Sequence, residues 1–323
     1  MTGGGASGNP LTARWSGDHG LPPFSAVTPE HFRGAFDAAL TAHRAEIDAV
    51  AADKAPPSFA NTIEALERSG ATLNQVSSLF FVLAGADTSD AIEAVERDIS
   101  PLLARHSNAL YLNAAVFRRV DDLYRRRDTL GLSDEQQRVL ARYHTHFTRA
   151  GAGAEQASQD RLAAISERLA SLGTQFGQNV LADEKSYALI LEEADLTGLP
   201  DFARAQARAA AETRGHPGKY AITLARSSIE GFLQFSARRD LREKAFSAWI
   251  GRGESGGATD NRAVVAEIVK LRAERGHLLG FASFADYRLD DQMAKTPANA
   301  RELLDNVWGR ARARSQRERD ALQ

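Results

Sequence analysis

Eight histidines (His19, His31, His43, His106, His144, His146, His216 and His277) are the side chains of this 323-residue chain best suited to hold a catalytic metal. A hydrolytic zinc helix needs imidazoles at i and i+4, so that both share one face, and a Glu after the first to polarise the bound water. The residues that follow the eight are Gly20, Phe32, Arg44, Ser107, Thr145, Phe147, Pro217 and Leu278. None is Glu, so H-E-x-x-H is absent from these residues. His144 and His146 lie two apart on a predicted helix, about 200° from each other around its axis. They fail as a local metal pair and read as partly buried or surface side chains. The absence of Cys removes disulfides, thiolate nucleophiles and thiolate metal sites together.

Two glycine patterns coincide at Gly251-Arg252-Gly253-Glu254-Ser255-Gly256-Gly257, which matches both G-x-G-x-x-G and G-x-S-x-G. Either chemistry requires a strand to feed the turn, so that a phosphate meets a helix N-terminus or a serine sits on a strained elbow. The preceding Leu241, Ala245, Phe246 and Trp249 have helical spacing instead. The stretch therefore reads as a flexible inter-helix loop. The carboxylate pairs Glu192-Glu193 and Asp290-Asp291 are adjacent in sequence, whereas acid/base work needs two carboxylates converging with separated pKa values. They read as solvated edges. Arg310, Arg312, Arg314, Arg317 and Arg319 are interleaved with Glu318 and Asp320 without aromatics, which is a solvated helix face and not a nucleic-acid platform.

The elements that must position these groups are predominantly helical. Thr28-Pro29 has the form of an N-cap followed by Pro at the first helical position, opening a helix through Phe32, Phe36, Leu40 and Ile47 that Pro56-Pro57 closes. A second helical pattern runs from Asn61, with Asn61 and Glu64 at capping-box spacing. A turn at residues 87–90 precedes a helix from about Ala91. Ser133 and Gln136 form a better box for a helix ending at Gly151. The longest element, Glu155 to about Ala182, carries Leu162, Ile165, Leu169, Leu172 and Phe176 as one stripe. Only 187–191 and 220–224 look like strands, a hairpin-like pair with a helical insert between. After Arg238 the pattern is helical again, and the last helix, from Pro297, carries Leu303, Leu304, Val307, Trp308 and Ala311. The predicted class is mainly α with a small β hairpin-like insertion. Its segments are a flexible tail over 1–20, a helical region over 21–183, a β-containing segment over 184–236 and a helical scaffold over 237–323.

Composition bounds the partners. A hydrophobic content of 43% is enough for a buried core, and 25% charged residues with a net charge of −2 argue against nucleic-acid binding. No apolar run approaches the ~20 residues that span a bilayer, and the N-terminus lacks the basic start and apolar run of a secretory signal. The expectation is a soluble, cytoplasmic protein with neither nucleic acid nor membrane as partner.

One segment carries a family resemblance. Arg239-Asp240-Leu241-Arg242-Glu243-Lys244, Ala248-Trp249, Arg252-Gly253 and Asp260-Asn261 resemble the stretch that precedes the catalytic half in the thimet oligopeptidase family of zinc metallopeptidases. The continuation is similar throughout: Leu271-Arg272-Ala273-Glu274-Arg275, Leu278-Leu279-Gly280-Phe281, Ala285-Asp286-Tyr287 and Met293-Ala294-Lys295-Thr296-Pro297. Asn61-Thr62-Ile63, Leu66 to Gly70 and Phe147 to Ala152 are similar to the bacterial dipeptidyl carboxypeptidase branch.

This resemblance implies one lobe of a two-lobed, mostly helical peptidase. Its deep channel admits short unstructured peptides, and it releases dipeptides from free C-termini. Zn(II) in such enzymes is held by the two His of H-E-x-x-H and a downstream Glu. Those positions would lie past Gln323, so no catalytic, cofactor-binding or metal-binding residue is carried over and no zinc is expected on this chain. It is expected to be inactive by itself, a non-catalytic N-terminal part whose partner is a missing C-terminal catalytic lobe, with bare packing faces that favour association. The alternatives are a stand-alone helical scaffold that binds peptides or a partner, and one half of a split peptidase.

Overall fold

The computed structural model of the chain describes residues 8–13, 15–254 and 256–323. It divides into two compact units, one made of residues up to Ser171 together with Val269–Gln323, the other of Leu172–Ile268. The mainly α class and the small antiparallel pair are as the sequence predicts.

In the first unit α1 spans Pro29–Ala52, α2 Ala65–Arg68, α3 Ala71–Ala86, α4 Asp90–Tyr111, α5 Ala114–Arg125 and α6 Asp134–Ala150. Thr28 precedes α1 in an extended conformation with Pro at the first helical position, and its N–H donates to Nδ1 of His31 at 3.0 Å. A single π-helical turn, Phe59–Glu64, leads into α2. Its cap is Ser58 and not Asn61: the Asn61 N–H donates to Ser58 Oγ at 3.1 Å, and the Asn61 side chain accepts from the Ser58 N–H at 2.8 Å. Asn61 is thus the third residue of a box displaced by three positions, a role its acceptor side chain fills as a Gln would. The Ser133–Gln136 box forms as predicted, and α6 ends on Gly151 in the left-handed region at φ 99°.

Two apolar clusters fill this unit. Phe32 and Phe36 of α1 meet Phe80 of α3 edge-on, at 5.0 and 5.5 Å between ring centroids, beside Ile92, Val95 and Ile99 of α4. Farther along α1, Ile47 and Val50 join Ile63, Leu66, Val120, Leu140 and Phe147. Leu11 is fully buried in the first cluster, its carbonyl accepts from Gln75 at 2.8 Å, and Asn9 donates to the His31 carbonyl at 2.7 Å. This part of the expected loose tail is therefore packed. Burying one Leu outweighs the local preference of its Gly-, Ser- and Thr-rich neighbours. The remaining residues of that stretch, 1–7 and Arg14, lie outside the described residues.

The helix α7, Gln156–Ser186, contains one unit boundary, and α11, Arg262–Leu278, contains the other. Within the second unit β1 (Leu189–Leu191) pairs antiparallel with β2 (Tyr220–Ile222), Ile190 opposite Ala221, and α8 (Asp201–Thr213) is inserted between them. α9 (Arg226–Phe235) and α10 (Arg239–Ile250) follow, and Leu191, Tyr220, Ile222, Ile229, Phe232 and Leu241 share one core. Phe176, at the end of the predicted α7 stripe, is exposed. The last two helices, α12 (Phe284–Leu289) and α13 (Pro297–Leu322), belong to the first unit.

One buried cation ties α1, the π turn and α5 together. Arg119, 7% exposed, donates to the carbonyls of Asp53 and Ala55 at 2.8 and 3.2 Å, to Thr62 Oγ1 at 3.2 Å and to the Asp53 carboxylate at 3.2 Å. Removing it leaves these acceptors short of a donor inside the protein. Arg119→Ala should therefore lower the unfolding free energy by about 2–3 kcal/mol, read from the urea midpoint at unchanged slope.

Candidate functional site

His144 and His146 of α6 point to different neighbours. His144 stacks on Tyr124 at 4.0 Å and lies 3.2 Å from Asp121, whereas His146 faces Tyr111 and Arg142. The tertiary structure brings one pair together that sequence separation concealed. His106 of α4 and His43 of α1 are joined by an Nε2···Nδ1 bond of 2.9 Å, and His43 Nε2 lies 3.1 Å from Ser69 Oγ. Because the Ser69 hydroxyl donates to the Leu66 carbonyl at 2.7 Å, it accepts from His43 Nε2–H. The bare His43 Nδ1 then accepts from His106 Nε2–H, so this chain of bonds is complete with both rings neutral.

Gly70, at φ 71°, passes directly beneath the His43 ring, where a Cβ would stand 2.9 Å from Cε1. Burial, with the neighbouring His43 and Arg44, pushes the His106 imidazole down to about 4, and burial lowers His43 against the opposing charge of Glu46. Two imidazoles hydrogen-bonded to each other and to a hydroxyl do not make a zinc set. Among the described residues there is no group of three or more His, Cys, Asp or Glu that could hold a metal ion. The zinc implied by the resemblance does not fit the residues present here.

One concave feature of the first unit is a cleft of about 540 Å³. Its walls include Ser107 and Tyr111 of α4, Arg142, His146 and Arg149 of α6, Arg275 of α11, and Tyr287, Arg288 and Asp291 on and after α12. Arg149, with only 13% of its side chain exposed, donates to the Tyr287 carbonyl at 2.6 Å and to Asp290 at 3.2 Å, and lies 4.3 Å over the Tyr287 ring. Arg142 pairs with Asp291 and lies 3.1 Å from His146 Nε2. Burial alone would raise the Asp291 carboxyl. The Arg142 hydrogen bond and the charges of Arg142 and Arg149 outweigh burial and hold it below the usual carboxylate range. His146 is pushed down by burial, by Arg142 and by Arg149, against Asp291.

The predicted solvated carboxylates therefore divide. Glu192 pairs with Lys219 and Glu193 accepts from Tyr220 Oη at 2.5 Å, at the edge of the second unit. Asp290 and Asp291 instead hold arginines of α6, far away in sequence. The cleft was missed as a unit, although Arg142, His146 and Arg149 at spacings of four and three already share one face of a predicted helix. Nothing in the sequence places Arg275 or Arg288 beside them.

The glycine loop is fed by the helix α10, as its pattern predicts, and Ser255 lies outside the described residues. Gly253 donates to Asp183 at 2.7 Å and accepts from the Asn261 N–H at 2.7 Å, so its backbone is engaged in holding the loop. The Arg-rich end of α13 is exposed throughout, with an Arg314–Glu318 pair of 2.7 Å one helical turn apart.

Residues 232–323 match Peptidase family M3. The chain is 36% identical over 98% of its length to dipeptidyl carboxypeptidase of Escherichia coli (strain K12), covering 46% of that protein. It is also 36% identical over 98% of its length to dipeptidyl carboxypeptidase of Salmonella typhimurium, covering 47% of it. To oligopeptidase A of Salmonella typhimurium it is 31% identical over 96% of its length, covering 46%. The chain thus spans about half the length of the curated relatives it matches. The resemblance read from Arg239 to Pro297 is established by these matches. No helix among the described residues is long and apolar enough to cross a membrane.

The neutral histidine pair has a pH signature. Both folded pKa values lie below that of the unfolded chain, so on acidification the unfolded state takes up protons first. Stability should be level above pH ~6.5 and fall as the pH drops from there towards about 4. Urea midpoints across that window should show a shallower fall in His106→Gln than in the parent, and an equal fall would remove the pair as its source.

Proposed function

We propose that this chain, which its matches join to Peptidase family M3, supplies the non-catalytic part of a zinc metallopeptidase acting on short unstructured peptides in the cytoplasm, with dipeptide release from C-termini as its reaction. The observation that carries the reading is a mismatch of extents. Similarity to dipeptidyl carboxypeptidase runs over 98% of this chain but 46% of that protein, and the 323 residues contain no H-E-x-x-H. The zinc-bearing helix is then supplied by residues other than these. No step of amide hydrolysis is assigned to a side chain of this chain. Its role is steric: folded helices forming one wall of a channel exclude folded substrates while a flexible peptide threads past.

The surface of α13 supports a further packing partner. Leu303, Leu304, Val307 and Trp308 form one stripe and are 66%, 66%, 58% and 65% exposed, and the helix has no buried residue. An apolar stripe of this kind is normally covered.

Incubated with zinc and short peptides, the chain alone should release no dipeptide above background and should retain less than one zinc per chain after dialysis. Stoichiometric zinc with dipeptide release would overturn the reading. Because the stripe buries nothing, Leu304→Glu with Trp308→Glu should leave the thermal midpoint unchanged. The same pair should reduce self-association in sedimentation and binding of a hydrophobic dye.

A further inference from the structure

We propose that the arginine-lined cleft of the first unit is a binding site for a small organic polyanion carrying carboxylate or phosphate groups. The inference stands apart from the peptidase reading, since it uses only the charge balance and shape of this unit. Arg142, Arg149, Arg275 and Arg288 line the cleft together with Asp291, which pairs with Arg142, and Arg149 pairs with the neighbouring Asp290. Those two carboxylates are committed to Arg149 and Arg142.

Arg275 and Arg288 form no ion pair among the described residues. The Arg275 Nε–H is shielded from solvent and has no hydrogen-bond partner. The rest of the guanidinium belongs to a residue that lines the cleft and is held by no carboxylate among the described residues. Arg275 and Arg149 also flank one ring, 5.5 and 4.3 Å from the Tyr287 centroid. Two like charges are thereby held around a single aromatic side chain, and of the two only Arg149 pairs with a carboxylate, that of Asp290. Burial, with the charges of Arg142 and Arg149, pushes the His146 imidazole down.

The chemistry of the lining selects the ligand class. Guanidinium forks bind carboxylate and phosphate oxygens in pairs, and the hydroxyls of Ser107 and Tyr111 add neutral hydrogen-bonding groups at the same wall. A cation is disfavoured by the charge excess. At about 540 Å³ the cleft is several times larger than a bare inorganic anion needs and lies within the range of small-molecule sites. Two surplus positive charges call for a ligand with at least two negative ones.

The test is calorimetric titration of the full chain at fixed ionic strength with citrate and, separately, with inorganic pyrophosphate. Saturable binding with one site per chain is expected for at least one probe. A response to citrate alone identifies a polycarboxylate, a response to pyrophosphate alone a phosphorylated ligand, and responses to both establish the shared anion chemistry. Arg275→Ala and Arg288→Ala should each weaken binding about tenfold or more, whereas Arg68→Ala, on a surface pair with Glu64 away from the cleft, should not change it. Arg288 is exposed and makes no hydrogen bond among the described residues, so its variant remains folded and informative if Arg275→Ala does not fold. Failure of both probes to bind, binding indifferent to both cleft substitutions, or equal weakening by Arg68→Ala would overturn the proposal.

Discussion

The first unit is discontinuous in sequence, and its integrity depends on how the returning chain from Val269 onward is attached to the helices before Ser171. Apolar burial contributes part of this: Leu271 and Tyr287 are buried. The directional part is made by arginines. Arg161 of α7 grips Glu274 of α11 through two bonds of 2.6 and 2.8 Å, and Arg149 reaches from α6 to the Tyr287 carbonyl and ring. Exposed pairs such as Arg161–Glu274 contribute little individually. Arg149 is different because its guanidinium is largely buried, meets a backbone carbonyl and covers an aromatic face, so its position is over-determined. A six-residue helix such as α12 has no independent stability. Its placement is therefore a tertiary property, set by these contacts and by Gly276, where a Cβ would press on the Ser283 backbone at 3.1 Å.

The same attachment creates the cleft. Anchoring α12 to α6 through cations concentrates positive charge where α4, α6 and α11 meet, and Asp290 and Asp291 answer only part of it. Arg142 and Arg149 are paired with these carboxylates, while Arg275 and Arg288 form no ion pair among the described residues. The histidine pair is the opposite solution to burying polar rings: His43 and His106 satisfy one another and Ser69 as neutral groups, so their burial incurs no ionic cost at neutral pH.

The two ends of the kinship reading rest on different physics. Similarity to Peptidase family M3 over residues 232–323 and to dipeptidyl carboxypeptidase over nearly the whole chain is a matter of residue identity, whereas the absence of a metal cage among the described residues is a matter of which side chains stand together. The stripe on α13 is exposed, and that helix has no buried residue.

Much of the local structure was decided by sequence alone. Thr28-Pro29, the Ser133–Gln136 box and the terminating Gly151 marked helix ends because capping is a contact among residues three or four apart. The strand pair was legible from the short apolar runs 187–191 and 220–224, of which 189–191 and 220–222 form the ladder. The histidine spacing showed that no imidazoles were arranged as a zinc helix requires. What sequence could not decide was non-local. Ser58 displaced Asn61 as the cap because a π turn shifts the register, and Leu11 was drawn out of a polar tail by a core formed from α1, α3 and α4. The unit boundaries fall inside the uninterrupted helices α7 and α11, where no change of composition marks them. Asp290 and Asp291, solvated by local reasoning, became partners of arginines roughly 140 residues earlier. Periodicity and capping act over one or two helical turns, whereas charge pairing and burial act across whatever the folded chain brings within a few ångströms.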